Sequence, residues 1–560
     1  MKKFRRLIAL CVALVSICSV AAGCRNGDGG YDIDETQNQI YVFNFAGGVG
    51  TEWLYAIEEE FEKQYVNYEY DGKTGIDVII TAQKDIMTTG LKTKRHQVIF
   101  TETVPVNELA SQGELADITD IVKEQTLADV SNGVETCTIE SKFSEAQKAA
   151  LTAINNKYYV VPHYEVYAGV TYDRKVFDDY SLFFKDGGGW TDLSDPSLLS
   201  VGPDGVRGTY DDGMPSSYEE FYALCDHMLS VSVEPIIYAS GLKHYTQHLL
   251  MGMYGALAGL DEAMLYSNYG EDSFVTEPVT STIVTGFEGG VPVTERVEIN
   301  KNNSYLAYSQ LARYQAYKAF WEILNDDNMY ISQKASATLR NTPAQDEFIY
   351  SDLENEPIGM LIEGSYWYEE AQATFLKTEN QYKDRAKNRN FAWMPFPSQY
   401  YGTVTEGNGR KGTLIDSDSS FAFINGNISE NPVELHLAKL FLKYCYQDTM
   451  LELFTAKTGI AKGVDYEISN ETLNSIPPFS RSLWQTREQC DIVHPISDSP
   501  MFVQRPTYML GGTIFSASIG TEYFQYPITA FDRGYTAEQY FQGGEYTANQ
   551  WKDLFGDLID

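Results

Sequence analysis

Three aspartates in one glycine-rich stretch carry side chains suited to holding a metal ion. The stretch reads GPDGVRGTYDDG over residues 202–213 and contains Asp204, Asp211 and Asp212. Carboxylate oxygens are the hard ligands that Ca²⁺ prefers, and glycines let a short chain wrap around an ion. A pair of ion-free polar turns would use the same residue types. The stretch therefore predicts either a structural Ca²⁺ site or two turns in a loop, and we expect no other cofactor.

Two further patterns could do chemistry, but each fits a simpler interpretation better. His244 and His248 are four residues apart, which places both imidazoles on one helix face and could bind zinc. No glutamate follows His244 in the metalloprotease manner, and no third ligand is evident. Residues 407–413, GNGRKGT, contain glycine and lysine in the wrong order for a phosphate-binding loop. This segment is predicted to be a hairpin in solvent.

Three glutamates stand where carboxylates could act as a pair. Glu102, Glu165 and Glu363 each follow an apolar segment. A glycosidase needs two carboxylates on either side of the bond it cleaves, and these could serve, although nothing in the sequence marks a general acid. Glu363 lies between an apolar strand and Gly364, so its carboxylate needs a partner.

The elements that position these side chains begin at residues 41–65, YVFNFAGGVGTEWLYAIEEEFEKQY. Aromatic and β-branched residues predict a buried strand at 41–45, and glycines predict a turn at 46–50. Thr51 can cap the helix that follows. Trp53, Ile57, Phe61 and Tyr65 form one apolar stripe on it. A strand, a short loop and a helix N-terminus make an edge that can face a ligand in an α/β domain.

The rest of the chain alternates strands with helices, which predicts an α/β fold with mostly parallel sheets. Helices are expected from 108, from 215 with a serine cap, and over 432–446. Strands are predicted at 76–81, 98–100, 233–238, 359–364 and 420–425, with further extended segments in 157–176 and 391–397.

The first 24 residues have the features of an export signal. A basic start, an apolar run over 7–20 and small residues before Cys24 predict a signal peptide at 1–23. The ending Ala-Ala-Gly-Cys resembles a bacterial lipobox, in which the cysteine is lipidated, although Ala21 stands where leucine is usual. Residues 24–39 are then expected to form a flexible lipidated tether. The protein is predicted to be anchored to the outer face of the bacterial cell membrane.

Composition limits the partners that the chain can have. A formal net charge of −36 over 560 residues repels nucleic acid and anionic lipid. The mature chain keeps Cys24 and four widely spaced cysteines, which indicate neither a disulfide scaffold nor a zinc site. Forty tyrosines provide flat apolar faces with polar rims, which suit sugar recognition.

The order of segments resembles the extracellular solute-binding proteins of ABC transporters, in particular the maltose-binding-like family 1. No single segment is specific, but together they cover some four hundred residues. In order, they are the strand–loop–helix of 41–65, VIFTE at 98–102, LASQGELADIT at 109–119, YVVP with VTYDRKVF at 159–177, PSSYEEFYALC at 215–225, MLIEGSYW at 360–367, MPFPS at 394–398, FAFINGNISENPVELHLAKLFLKY at 421–444 and LFTAKTG at 453–459.

This resemblance implies two α/β lobes, joined by hinge crossings of the chain, with a ligand cleft between them. Lobe 1 would comprise residues 40–162 and 420–458, and lobe 2 residues 163–419 and 459–560. The crossings are expected near 162–172, 397–420 and 458–459. The chain departs from the family in long insertions near 179–214, 266–303, 330–355 and 399–416.

Position within these segments also implies a set of ligand contacts at strand ends and helix starts. In the family an aromatic ring at the position of Tyr366 commonly stacks on a sugar. The expected ligand-binding residues are Asn44, Phe45, Glu52, Trp53, Thr101, Glu102, Tyr164, Glu165, Tyr167, Ser240, Tyr245, Glu363, Tyr366 and Trp367.

The resemblance implies a monomeric, non-enzymatic lipoprotein. It would capture a carbohydrate, such as an oligosaccharide, and deliver it to the membrane subunits of an ABC permease. An exported glycoside-processing enzyme and a peptide-binding protein are the alternatives. An anionic ligand is disfavoured because almost no Arg or Lys stands at the strand ends.

Overall fold

The computed structural model describes residues 34–152, 154–268, 279–417, 420–497, 499, 504–510 and 512–559. The predicted signal peptide, Cys24 and the tether up to residue 33 lie outside this range. Two separate β-sheets with helices on their faces organise the described residues, and each sheet is the centre of one lobe. The α/β two-lobe architecture implied by the sequence is therefore present.

The first sheet has five strands, four of which come from the first third of the chain. In spatial order the strands are β4 (Ile76–Gln83), β1 (Asn38–Phe45), β5 (Val98–Thr101), β16 (Phe421–Ile424) and β6 (Val160–Pro162). Strand β1 runs parallel to β4 and β5, whereas β16 is antiparallel to β5 and β6.

The second sheet has four strands and a core on each face. In spatial order the strands are β10 (Glu234–Tyr238), β13 (Ile358–Gly364), β7 (Ala168–Asp173) and β14 (Phe391–Met394). Strand β10 is parallel to β13, and β7 is antiparallel to both β13 and β14. Along β13, Leu361 packs into one apolar cluster while Met360 and Ile362 pack into another, as expected from the alternation of side chains along a strand.

In each sheet one strand runs against all the others, β16 in the first and β7 in the second, so the sheets are mostly parallel, as predicted, but not entirely so. The direction of these strands follows from the path of the chain. A strand that enters a sheet from the other lobe starts at the hinge side of that sheet. Strand β7 enters the second sheet in this way after β6, and β16 enters the first sheet after β14.

Three connections cross between the lobes. The first joins β6 to β7 through residues 163–167, and the second joins β14 to β16 through residues 395–420. The third leads from helix Asp448–Thr458, which packs on the helix Glu52–Tyr65 of the first lobe, to helix Pro478–Gln489, which packs on β14 of the second. These places agree with the crossings that the sequence implies.

Helices cover both sheets, and short strand pairs decorate them. The helices are α1 (Glu52–Tyr65), α2 (Val106–Ser111), α3 (Glu145–Leu151), α4 (Arg174–Asp179), α5 (Tyr218–Ser230), α6 (Tyr245–Asn268), α7 (Leu311–Leu324), α8 (Asn341–Ser351), α9 (Trp367–Glu370), α10 (Gln372–Tyr382), α11 (Asp384–Lys387), α12 (Pro432–Tyr444), α13 (Asp448–Thr458), α14 (Asn470–Ser475), α15 (Pro478–Gln489), α16 (Pro527–Phe531), α17 (Ala537–Gly543) and α18 (Ala548–Ile559). The remaining strands are β2 (Glu69–Tyr70), β3 (Lys73–Thr74), β8 (Phe183–Phe184), β9 (Trp190–Thr191), β11 (Val279–Glu288), β12 (Val291–Ile299), β15 (Gly412–Ile415), β17 (Cys490–Val493), β18 (Ala517–Ile519) and β19 (Glu522–Phe524).

The first strand and helix form nearly where they were predicted. Trp53, Ile57, Phe61 and Tyr65 are all buried along α1, as the apolar stripe requires. Strand β1 begins three residues earlier than predicted, at Asn38, so the last two tether residues are paired with β4. The Thr51 side chain does not cap α1, because its hydroxyl instead accepts a hydrogen bond from Asn44 at 3.1 Å.

Residues 407–413 do not form the predicted solvent hairpin. Strand β15 begins at Gly412 and runs parallel to β17, and the Arg410 side chain reaches into the second lobe. Its guanidinium donates to the carbonyls of Ala256 and Leu257 at 3.0 and 3.1 Å, just before Gly259 interrupts α6. A broken helix leaves carbonyls without intrahelical partners, and Arg410 supplies donors for two of them.

Candidate functional site

A cavity of about 350 Å³ lies between the two sheets, where strands of both lobes end. Each lobe contributes residues that directly follow parallel strands, which is where α/β sheets usually bind ligands. The first lobe supplies Ile86, Glu102 and Thr103, and the crossings supply Val166 and Ser417. The second lobe supplies Ala168, Tyr238, Ala239, His244, Tyr245, His248, Leu249, Ile362, Glu363, Gly364 and Tyr366.

Tyr366 occupies the cavity wall of the second lobe and comes close to the first lobe. Its hydroxyl donates to the Tyr245 hydroxyl at 3.4 Å. A β-carbon placed on Gly48, in the turn after β1, would lie 3.5 Å from the Tyr366 Cβ. The glycine-rich turn therefore approaches this ring across the cleft, and Gly48 has the positive φ of 50° that glycine tolerates best.

Glu363 is buried at the end of β13, and only 4% of its surface is exposed. Its Oε1 accepts a hydrogen bond from Gln345 Nε2 at 3.2 Å, and the same nitrogen donates to Glu370 Oε2 at 2.7 Å. Burial, followed by the nearby charge of Glu370, raises the pKa of Glu363 to about 8. The carboxyl group of Glu363 therefore accepts a hydrogen bond from an amide, and its raised pKa favours the protonated form at pH 7.

Glu102, on the opposite wall, accepts a hydrogen bond from the Tyr164 hydroxyl. Both histidines of the i, i+4 pair also line the cavity, and burial, then the neighbouring His248, lowers the pKa of His244. Within the described ranges no group of three or more His, Cys, Asp or Glu side chains is arranged to hold a metal. The lowered pKa favours a neutral His244 as a hydrogen-bonding group of the cavity.

Four of the fourteen expected contact residues line this cavity: Glu102, Tyr245, Glu363 and Tyr366. Trp53 and Trp367 were expected to reach the ligand, but both have no exposed surface and pack among other rings of the core. An aromatic side chain at the start of a helix can face either the cleft or the core, and both of these tryptophans face the core. They are core residues.

Three expected contacts, at the ends of β1 and β5, bind or pack against neighbouring backbone and do not line the cavity. Asn44 is fully buried and donates to the Gly50 carbonyl at 2.9 Å, which ties the turn to the strand. Phe45 packs over Gly47, where a β-carbon would meet its ring at 2.3 Å. Thr101 has no exposed surface, and its hydroxyl accepts from the Met87 backbone at 3.2 Å.

Glu52 and Ser240 lie outside the cavity wall. Glu52 is exposed at the start of α1, and Glu369 stands opposite it on the second lobe. Burial, followed by the charge of Glu52, raises the pKa of Glu369 to about 7, so Glu369 carries less negative charge at neutral pH than an ordinary glutamate. The Ser240 hydroxyl donates to the Ser336 carbonyl at 2.6 Å.

Glu165 and Tyr167 form a buried ion-pair network in the first crossing rather than a surface for ligand. Arg487 Nε and Nη2 donate to the Glu165 carboxylate at 2.6 and 3.1 Å, and Tyr167 donates to it as well. Burial alone would raise the pKa of Glu165, but the Arg487 charge beside it holds that pKa below its usual value. The expectation that these two residues face the ligand is therefore not met.

A second buried carboxylate belongs to this network. The Val166 backbone donates to Asp416 Oδ1 at 3.0 Å, and His494 lies 3.4 Å from the other oxygen of Asp416. The network thus contains the Glu165 and Tyr167 side chains from the first crossing, Asp416 from the second, and Arg487 and His494 from the chain that follows the third. Because Val166 and Ser417 also line the cavity, this hinge network lies directly behind it.

The aspartate-rich loop forms turns through its own backbone. Asp211 accepts from the Asp204 backbone at 2.9 Å, and Asp212 accepts from the Gly208 backbone at 2.8 Å. Burial and the Asp204 carboxylate raise the pKa of Asp211 to about 7. One oxygen each of Asp204 and Asp212 is buried without a hydrogen-bond partner. Calcium binding here stays a prediction.

The cavity also contains residues that sequence reasoning did not select. Ile86, Tyr238 and Leu249 are apolar or aromatic and look like core positions in the sequence. Ser417 lies in a crossing loop whose residues have no periodic pattern. The spacing of His248 from His244 marks it as a residue of interest, but this spacing suggests zinc binding and not a place in the cavity wall.

No family model matches the sequence, and the search of curated proteins finds no match. Among solved structures, a chitin oligosaccharide binding protein superposes with a TM-score of 0.50 at 13% identity, covering 93% of this chain and 99% of its own. Maltose-bound T. maritima MalE3 superposes with a TM-score of 0.52 at 13% identity, covering 92% and 99%. Over nearly its whole length, this chain has the two-lobed fold of those two binding proteins.

Proposed function

We propose that this chain is the solute-binding lipoprotein of an ABC importer, a member of the maltose-binding-like family 1. It captures a carbohydrate between its lobes and delivers it to a membrane permease. The observation that carries the proposal is the cavity at the strand ends of both lobes, which combines aromatic rings with polar groups. The chain path supports lobe 1 as residues 40–162 and 420–458, and lobe 2 as 163–419 and 459–560.

The ring of Tyr366 is the group proposed to stack on the sugar. The C–H groups on one face of a sugar pack against an aromatic plane and leave the hydroxyls free for polar partners. Glu102, Tyr245 and Glu363 are the polar neighbours of this ring in the cavity. The same wall contains His244 and His248, and the lowered pKa of His244 makes that ring available as a neutral donor or acceptor.

A thermal-shift screen of mono- and oligosaccharides, including maltose and chitin oligosaccharides, tests the proposal. A ligand that binds only the folded state raises the melting temperature. Calorimetry on the best saccharide should then show that Tyr366→Ala weakens binding by about thirtyfold or more, about 2 kcal/mol. Tyr366→Phe is the matched control, because it keeps the ring and loses only the bond to Tyr245. A screen without a single stabilising saccharide would refute carbohydrate binding.

Membrane attachment and export belong to the same proposal. None of the helices in the described part of the chain has the length and hydropathy needed to cross a bilayer. Lipidation of Cys24 is the proposed anchor, with the mature chain on the outer face of the cell membrane. We further propose that the protein acts as a monomer.

Glycoside hydrolysis is a second candidate, because of one observation. Glu102 and Glu363 line the same cavity from different lobes, and the raised pKa of Glu363 would suit a general acid. The samples used for the binding screen can be assayed for newly formed reducing ends. Turnover would establish an enzyme, whereas an unchanged saccharide that stabilises the protein supports a binding protein.

A further inference from the structure

The buried carboxyl group of Glu363 has surroundings that differ from those of the other buried carboxylate at the hinge. Glu165 faces the guanidinium of Arg487 with two hydrogen bonds. Glu363 has no such partner, since no lysine or arginine is among the described residues that line the cavity. A buried carboxylate without a counter-charge is costly, and the usual result is that it keeps its proton.

The hydrogen bonds that Gln345 and the Gly364 backbone donate to Glu363 favour its ionised form, but burial and the nearby Glu370 carboxyl group outweigh them. Gln345, itself 2% exposed, uses one side-chain nitrogen to bridge the carboxyls of Glu363 and Glu370. The two bonded oxygens are therefore at most about 6 Å apart, with only a neutral amide between them. Two ionised carboxylates so placed repel each other, and Glu370, which is exposed, is the one that water can keep ionised.

Other titratable groups face the same cavity from every neighbouring element, and none supplies a permanent positive charge. Tyr245 reaches the site through the hydroxyl of Tyr366, and the pKa of Tyr366 is raised by burial and then by Glu363. The titratable side chains that line the cavity are Glu102 after β5, Tyr238 at the end of β10, His244, Tyr245 and His248 at the start of α6, and Tyr366 before α9.

We propose that Glu363 binds the ligand as a neutral carboxylic acid, donating a hydrogen bond to an acceptor oxygen of an uncharged saccharide. This inference rests on the proposed function and specifies the chemistry of its ligand. An acid hydroxyl in a water-poor cavity is a strong donor, and it needs no cation to balance it. Binding is then expected to weaken at alkaline pH, because ionisation of Glu363 removes the donor and adds a charge.

The sign and size of this pH effect follow from the pKa of about 8. If only the neutral form binds, the affinity constant is nearly constant below pH 7 and falls by about tenfold between pH 7 and pH 9. The pKa of Glu369 is about 7, so Glu369 titrates partly within this window, but it does not line the cavity, and the lowered pKa of His244 places that transition at lower pH.

Calorimetry of one neutral saccharide, chosen as the strongest stabiliser among the maltose and chitin-oligosaccharide probes, tests the inference at pH 6, 7, 8 and 9. Glu363→Gln replaces the acid by an isosteric neutral donor, so it should bind within about threefold of the parent at pH 7 and lose the pH dependence. Glu363→Leu should bind at least tenfold more weakly at every pH. Glu370→Gln is the matched control, since removing that charge should move the alkaline loss to lower pH.

Two results would overturn the inference while leaving carbohydrate binding intact. One is a Glu363→Gln variant that binds more than tenfold more weakly than the parent at pH 7, which would mean that the carboxylate itself is needed. The other is a parent affinity that does not change between pH 7 and 9. A parent that binds no saccharide at any of these pH values would instead refute the proposed function, and this inference with it.

A measurement on the ligand-free protein checks the same point independently. Carbon-13 NMR of labelled glutamate carboxyls, assigned by comparison with Glu363→Gln, should show one group titrating near pH 8. A Glu363 signal that titrates near 4 to 5 would contradict the neutral acid, whatever the binding data show.

Discussion

Arg487→Met is expected to be among the most destabilising single substitutions at the hinge. The parent guanidinium makes two hydrogen bonds to Glu165, at 2.6 and 3.1 Å, and the two side chains are 11% and 1% exposed. Methionine fills similar volume but leaves the buried Glu165 carboxylate with only His494, 3.8 Å away, which acts as a counter-charge only when protonated. Removing one partner of a buried ion pair commonly lowers the free energy of unfolding by about 3–5 kcal/mol. We expect a loss of that size near pH 8.

The size of the loss should depend on pH in a defined direction. In the parent, Arg487 holds the pKa of Glu165 below its ordinary value, so the pair contributes stability above the unfolded pKa, and this is lost as pH falls through the folded pKa. In the variant, protonation of Glu165 neutralises the buried carboxylate and so removes the cost of burying its charge. The difference between parent and variant should therefore shrink as the pH is lowered from 8 to 5.

Urea unfolding followed by tryptophan fluorescence measures these differences. Arg533→Met is the matched control, because Arg533 pairs with Glu522 at the surface, where the two side chains are 54% and 43% exposed and an ion pair is worth about 1 kcal/mol or less. The double variant Glu165→Gln/Arg487→Met should lose about 2 kcal/mol less free energy of unfolding than the two single variants lose in total. An Arg487→Met loss below about 1 kcal/mol, equal to the control, would refute the reasoning.

Three further predictions follow from other parts of the molecule. Lys462 is fully buried beside His163 and the Trp53 ring, and burial lowers its pKa to about 7. Because the unfolded chain binds the proton up to about pH 10.5, parent stability should rise between pH 7 and 10, and Lys462→Met should abolish the rise in denaturation curves. Cys24→Ser should move the protein from the membrane fraction to the medium, and full retention would indicate an uncleaved anchor. Millimolar Ca²⁺ should raise the melting temperature of the parent but not of Asp211→Asn, and an EDTA-insensitive parent would argue against the ion.

Local pattern was sufficient for the elements on which the cleft is built. The stripe of Trp53, Ile57, Phe61 and Tyr65 predicted the buried face of α1, and strand composition predicted β13 up to Gly364. These features depend on residues within one or two turns of each other. The direction of β7 and β16 was not accessible in this way, because it depends on how the chain crosses between lobes.

The role of individual side chains was decided only by contacts between distant segments. Glu165 and Glu363 have similar local sequences, each an acidic residue after an apolar strand. The first meets Arg487, 322 residues further along the chain, and becomes an ion pair within the hinge. The second meets Gln345 and Glu370 in a wall without lysine or arginine, and retains a proton.

Aromatic residues show the same division. Tyr366 and Trp367 are neighbours in one motif, and the sequence by itself determined that both lie at the end of β13. Tertiary packing turned Trp367 into the core, where it contacts Phe348 and Phe391, and left Tyr366 at the cavity opposite Gly48. The physical reason is that burial depends on the elements stacked above a residue, and those elements come from parts of the chain that local sequence does not contain.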